Sequence, residues 1–267
     1  MTNVLEDILR TKRHEIDVLG RTPVVRRSDG AAPRGAAVVS ALVRGRGEPL
    51  RLITEIKRRS PSAGPLSTAL SVGDRALVYA RSGASMISVL CDAHFFDGGW
   101  AHVEEARMAL EGAGLQVPVL AKEFVLDERQ IEEAAARGAD AVLLIVRIVD
   151  REQLTRLVAR ARAVGLEPLV EVVTEDELSA ALDADAKVIG VNARDLDTLV
   201  MDPVRAARVL AAIPADRIAV HLSGLKGPDD VAAVARTTAD AALMGEALMR
   251  QDDPTALLRA MVQAASG

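Results

Sequence analysis

The sequence has a single cysteine, Cys91, among its 267 residues, so no disulfide can form within the chain. A reducing cytoplasm is the expected compartment. Aromatic residues are scarce at 2%: one tryptophan, one tyrosine and three phenylalanines. Long hydrophobic runs are missing as well. The longest strongly apolar stretch covers residues 141–146 and ends at Arg147, far short of the ~20 residues that cross a membrane. The first residues lack the basic-then-apolar layout of a secretion signal. There is no excess of positive charge, and the net charge of −5 provides no electrostatic surface for nucleic acid or an anionic membrane. What the chain does have is 49% hydrophobic and 27% charged residues, the balance of a globular protein, and this excludes a disordered one.

The chain begins with an amphipathic pattern. Val4, Leu5, Ile8, Leu9, Ile16 and Leu19 recur at helical spacing, with Lys12, Arg13, Glu15 and Asp17 read as the polar side. Residues 21–47, rich in Gly, Pro, Arg and Ala, read as a connector with one short helix near 36–43. A rhythm then sets in. Short apolar runs at 52–56, 86–90, 119–121, 141–146, 168–172, 188–191, 218–222 and 241–244 alternate with helical patterns at 72–81, 100–111, 127–136, 151–164, 175–182, 203–212, 228–235 and 254–264. Asp202-Pro203, Gly227-Pro228 and Asp253-Pro254 place proline near a first helical turn. Buried-type strands alternating with helices predict a parallel sheet covered by helices. Eight such units predict closure into a (β/α)8 TIM barrel, about 250 residues in its ordinary form. An open doubly wound sheet would more often carry a glycine-rich fingerprint after its first strand, and here Lys57-Arg58-Arg59-Ser60 follows. The expected organisation is one barrel domain over 1–267, with 1–49 as an N-terminal helical extension.

Barrel active sites sit at the C-terminal ends of the strands. Polar residues there are Glu55 and Lys57, Asp92, Lys122 and Glu123, Glu171, Asn192 and Arg194, Ser223, and Glu246. Glu55 and Lys57 are two apart on a strand and share a face, either as a mutually neutralising pair or as charges serving a substrate. A lysine and a glutamate on separate inward-facing strands, Lys122 and Glu171, suit general acid and general base; Glu171 could also be a satisfied core carboxylate. Ser223-Gly224 and Gly245-Glu246 follow the seventh and eighth strands, where barrels commonly hold phosphate. Phe95, Phe96 and Phe124 all fall just past the second and third strands, which implies an aromatic or apolar substrate group. The four histidines show no ligand spacing and no metal site is expected. Cys91, with no histidine partner in view, reads as a small rim or core residue.

Several blocks together resemble the indole-3-glycerol phosphate synthase family, from Val4 to the end of the chain. Glu55-Ile56-Lys57-Arg58-Arg59-Ser60-Pro61-Ser62 is similar to the family's E-I-K-x-x-S-P-S signature. Ser88-Val89-Leu90 with Phe95-Phe96-Asp97-Gly98, and Leu120-Ala121-Lys122-Glu123-Phe124, resemble its next two strand endings. Leu143-Leu144-Ile145-Val146, Glu167-Pro168-Leu169-Val170-Glu171, Gly190-Val191-Asn192-Ala193-Arg194-Asp195-Leu196 and Gly245-Glu246-Ala247-Leu248-Met249-Arg250 follow in order. The resemblance implies a carboxy-lyase of tryptophan biosynthesis that turns 1-(2-carboxyphenylamino)-1-deoxyribulose 5-phosphate into indole-3-glycerol phosphate, carbon dioxide and water. It further implies Lys122 as general acid at the ketone and Glu171 as general base. Lys57 would bind the aromatic carboxylate and serve as a second acid, with Glu55 and Asn192 orienting these groups. Ser60, Arg194, Ser223, Gly224, Gly245 and Glu246 would surround the phosphate and its approaches, and Phe96, Phe124, Leu143 and Leu196 would hold the aromatic ring. No metal or organic cofactor is implied. The expected partner is a small phosphorylated substrate, with no nucleic acid and no membrane, and the chain a monomer or weak homodimer in the cytoplasm.

The sequence departs from the family at three places. Cys91 stands where threonine is usual and Gly99 where serine is usual. Leu222, in Val220-His221-Leu222-Ser223-Gly224-Leu225, stands where the family's A-E-S-G-I carries glutamate. The last change removes a mouth carboxylate. It leaves open a divergent paralogue with altered substrate or weak activity, or a barrel kept for binding alone.

Overall fold

The computed structural model describes residues 4–19, 34–61, 63–195, 197 and 200–266. Leu196, Ser62 and residues 21–33 of the expected connector lie outside the described residues.

Eight parallel strands close into a barrel: β1 (Arg51–Ile56), β2 (Met86–Leu90), β3 (Val119–Lys122), β4 (Ala141–Ile145), β5 (Glu167–Val172), β6 (Val188–Asn192), β7 (Ile218–Leu222) and β8 (Ala241–Met244), with β1 pairing to both β2 and β8. The expected runs coincide with these strands to within a residue or two. The third run extends by one, to Lys122, and the fourth stops at Ile145 because Val146–Ile148 winds into a 3₁₀ turn.

Helices α1 (Val4–Leu19) and α2 (Gly35–Leu42) precede the barrel. α3 (Val72–Arg81), the short α4 (Ala93–Phe96), α5 (Trp100–Gly112), α6 (Glu128–Ala136), α7 (Arg151–Ala163), α8 (Glu175–Asp183), α9 (Pro203–Ala211), α10 (Pro228–Ala235), the short α11 (Glu246–Met249) and α12 (Thr255–Ala264) follow. Side-chain caps define several starts. Ser71, Asp127, Asp150, Thr174 and Asp202 each accept a backbone N–H of their own first turn, satisfying donors that have no partner within the helix. Pro203 and Pro228 sit at first helical positions as expected, whereas Pro254 is the residue before α12 rather than inside it. The sequence reading also missed α4, α11 and a two-residue hairpin, Arg59–Ser60 against Gly64–Pro65. Each is too short for periodicity to register.

The strand period of two divides the apolar residues between two cores. Outward-facing residues of the strands join the helices in one large cluster. Ile53, Met86, Leu120, Leu143, Leu169, Val188, Val220, Leu222 and Leu243 form a second cluster inside the barrel, with Val38 and Leu42 of α2 packed into it. Arg34 and Arg44, flanking α2, donate to the carbonyls of Gly138, Ala235 and Ala239, at the end of α10 and in the segments that lead into β4 and β8. α2 therefore plugs the N-terminal end, and the opposite end is left as the mouth. Among the described residues no helix is long and apolar enough to cross a membrane.

Candidate active site

The mouth opens into a cavity of about 640 Å³. Every described residue to which the family resemblance gives a role lines it. Glu55 and Lys57 come from β1 and its end, Lys122 from β3, Leu143 from β4, Glu171 from β5, and Asn192 from β6. Ser60, Phe96, Phe124, Arg194, Ser223, Gly224, Gly245 and Glu246 come from the segments that follow the strands.

Glu55 is the centre of charge. It is 3% exposed, its Oε1 lies 2.8 Å from Lys57 Nζ, and its Oε2 lies 3.6 Å from Lys122 Nζ. Burial alone would push the Glu55 carboxyl up, but the two ammonium groups outweigh it and hold it below its ordinary value. The same attraction works in reverse on Lys122. Burial would lower it, while Glu55 and Glu171 keep it above the ordinary lysine value, so it stays an ammonium at neutral pH. Glu55 and Lys57 pair with each other, and both line the cavity.

A second network fixes Glu171. Asn192 Nδ2 donates to Glu171 Oε1 at 2.8 Å, while Asn192 Oδ1 accepts from Ser223 Oγ at 2.8 Å and from the Arg194 backbone N–H at 2.9 Å. A backbone N–H can only donate, so this last contact sets which way the amide points. Ser223 adopts φ +69° and Gly224 φ +90°, which turns the chain sharply after β7. A left-handed serine costs about 1–2 kcal/mol, and its bond to Asn192 helps hold it there.

Glycine at 245 has a specific cause. A Cβ there would lie 2.6 Å from Glu55 Oε1 and 3.0 Å from Glu55 Cβ, so the carboxylate that gathers both lysines needs a bare backbone across β8. Glu246 opens α11 and pairs with Arg250 at 2.7 Å, so its carboxylate is engaged with a cation along the helix. Lys226 and Arg250 also line the cavity near these two turns.

The phenylalanine expectation needs one correction. Phe96 and Phe124 face each other with ring centroids 6.0 Å apart and both line the cavity. Phe95 instead meets His94 edge-on and does not line it. α4 is the reason: Asp92 caps it by accepting from the N–H groups of Phe95 and Phe96, and consecutive helical residues point different ways. Leu222 faces inward as β7 parity demands, 3% exposed, where its Cδ1 would lie 2.6 Å from a Cβ at Gly190. Cys91 is buried, and burial pushes its thiol well above the ordinary range, consistent with a packing residue.

Two features escaped the sequence reading. Val4, Leu5 and Ile8 of α1 line the cavity. Lys12, placed on the polar side of that helix, is fully buried, with Nζ 2.7 Å from Asp92, 3.1 Å from Glu123 and 2.7 Å from Glu15. The signal was present, because 5, 8, 12 and 16 form one helical stripe. A lysine in that stripe was assigned by its charge instead of its spacing.

Comparison with known proteins bears directly on this site. The chain matches the family described as indole-3-glycerol phosphate synthase over residues 5–261. It is 43% identical over 219 residues to indole-3-glycerol phosphate synthase 1 of Streptomyces coelicolor, covering 82% of this chain and 80% of that one. It is 40% identical over 263 residues to the indole-3-glycerol phosphate synthase of Mycobacterium leprae, covering 98% and 94%. Among solved structures, thiamine phosphate pyrophosphorylase from Pyrococcus furiosus superposes with a TM-score of 0.62 at 15% identity, over 83% of this chain and 98% of that one. 3-Hexulose-6-phosphate synthase from Salmonella typhimurium does so at 0.62 and 15%, over 81% and 98%. Those two likenesses carry the barrel fold and no more. The sequence match spans nearly all of the barrel and its mouth, and the chain belongs to the indole-3-glycerol phosphate synthase family.

Proposed function

We propose that the cavity divides the family's reaction, the ring-closing decarboxylation of 1-(2-carboxyphenylamino)-1-deoxyribulose 5-phosphate in tryptophan biosynthesis, among three side chains. Lys122, kept as an ammonium by Glu55 and Glu171, protonates the ketone oxygen as the aromatic carbon attacks the carbonyl carbon and the new ring bond forms. Loss of carbon dioxide restores the aromatic ring. Glu171 then takes the proton whose removal drives dehydration, and Lys57, which also binds the aromatic carboxylate, protonates the departing hydroxyl. Glu55 holds both lysines, and Asn192 orients Glu171. Positioned acid–base groups of this kind contribute on the order of 10²–10⁴-fold each. Phe96, Phe124 and Leu143 give the ring its apolar slot. The turns at Ser223-Gly224 and Gly245-Glu246 offer backbone N–H groups to the phosphate, with Ser60, Arg194, Lys226 and Arg250 near it.

The observation that carries this reading is the convergence of Lys57 and Lys122 on one buried carboxylate at the mouth. A site built only for packing would have no use for two ammonium groups around a single anion in a cavity this large. The compartment is the cytoplasm and the substrate a small phosphorylated molecule, with no nucleic acid. The chain works as a monomer or weak homodimer, one barrel domain with residues 1–49 as its extension. Incubating the purified protein with the deoxyribulose phosphate and following indole fluorescence tests the activity. Product formation is expected, and its absence in folded protein would favour the divergent-paralogue reading.

A further inference from the structure

α1 precedes the barrel, yet Val4, Leu5 and Ile8 form part of the cavity wall. What seats them is one unusual residue. The buried stripe of α1 reads Leu5, Ile8, Lys12, Ile16, and an apolar residue at 12 would have been enough to pack an amphipathic helix. Lys12 instead reaches two carboxylates on adjacent barrel strands: Asp92, two residues past β2, and Glu123, immediately past β3. Both are 2% exposed or less. Each stands beside a cavity residue. Asp92 accepts from the Phe96 N–H, and Glu123 lies between Lys122 and Phe124 and accepts from the Phe124 N–H at 2.8 Å. Replacing a buried ion contact by packed apolar residues is often neutral or stabilising, and the best-attested use of such a contact is to fix register. A leucine at this position could slide along the rim, whereas an ammonium held between two strand ends cannot.

We propose that Lys12 is a positioning residue for ring closure: by bridging Asp92 and Glu123 it locks α1 across the ends of β2 and β3, so that Val4, Leu5 and Ile8 complete the apolar wall facing the Phe96–Phe124 slot. This rests on the functional reading above, since the wall serves the substrate's aromatic ring. Lys12 touches neither substrate nor reacting atoms; it acts through α1. The charged groups facing it are Glu15 from its own helix and Asp92 and Glu123 from the barrel, with the Cys91 thiol behind them.

The test compares Lys12→Met, Lys12→Arg and Glu15→Gln by steady-state kinetics and by amide exchange of residues 4–19. Lys12→Met is expected to raise KM about tenfold or more with kcat within a fewfold, and to speed α1 exchange by about tenfold or more. Lys12→Arg is expected to fall between it and wild type. Glu15→Gln should match wild type, because a contact within one helix tethers nothing. Wild-type KM and wild-type α1 protection in folded Lys12→Met would overturn the proposal, as would a fall in kcat at constant KM. If Lys12→Met does not fold, Lys12→Arg decides: a raised KM with faster α1 exchange supports the tether, and wild-type values for both refute it. If wild type makes no product, the functional reading fails while the exchange arm still reports on the tether.

Discussion

The two ends of the barrel use the same inward-facing rows of the same strands for opposite ends. On β1, Ile53 gives way to Glu55 and then Lys57; on β3, Leu120 to Lys122; on β5, Leu169 to Glu171; on β6, Val188 and Gly190 to Asn192. Lower down, Leu42 and Val38 of α2 close the interior at 0% and 1% exposure. At the mouth the charged row looks into a cavity. On the proposed assignment, stability and chemistry are separated by one or two side-chain layers of a single sheet. An unpaired ion at the lower layer would be ruinous, while an apolar residue at the upper one would be inert.

The sharpest way to break this contrast is to remove charge from the upper layer. Lys122→Met should lower kcat by about 10²–10⁴-fold with KM and thermal stability close to wild type, and Glu171→Gln should do so on the same scale. Indole fluorescence kinetics alongside thermal melts would show it. A large loss of stability with unchanged specific activity would return Glu171 to the status of a core carboxylate. The converse change at the lower layer is Leu42→Ala. It should cost about 2–5 kcal/mol in denaturant unfolding, with kcat per folded molecule unchanged.

Leu222 is the one upper-layer position on β7 that kept a lower-layer residue. Leu222→Glu should raise kcat/KM by about 10- to 150-fold, the worth of a charged hydrogen bond at roughly 1.5–3 kcal/mol, and reduce stability because the carboxylate displaces packing over Gly190. An unchanged or lower kcat/KM would mean the pocket is fitted to leucine and to a different substrate. The smallest effect concerns pH. Burial, with Asp92 adding to it against Lys12 and the Phe124 N–H, pushes the Glu123 carboxyl up to about 7. The folded state therefore holds that proton more tightly than the unfolded chain, whose value is 4.5. The stability this contributes is fully present below 4.5 and is lost as pH rises through about 7. Unfolding free energy measured across that window should decline less steeply in Glu123→Gln than in wild type.

Much of this was legible in the residues, for identifiable reasons. Eight apolar runs separated by helical patterns admit few topologies, strand parity put Glu55 and Lys57 on one shared face, and the barrel rule put Lys122, Glu171 and Asn192 at strand ends that line the mouth. The places where the reading fell short share a cause. Phe95 looked equivalent to Phe96, but the cap from Asp92 winds both into a helical turn that parts them. Lys12 looked like a surface lysine because its carboxylate partners lie 80 and 111 residues away along the chain. Gly245, read for phosphate alone, carries a second demand: a Cβ there would meet Glu55 on the neighbouring strand.

The sequence by itself determined the barrel, the strand ends that carry polar residues and the family to which the chain belongs, because hydrophobic period and ordered motifs are local properties that survive without coordinates. Only the tertiary structure decided which charges meet. It put Lys57 and Lys122 on one carboxylate, hung Asn192 between Glu171 and Ser223, and drew α1 over the mouth through Lys12. The reason is physical: the energy of a buried ion depends on partners a few ångströms away in space, and nothing in the order of residues along the chain records that distance.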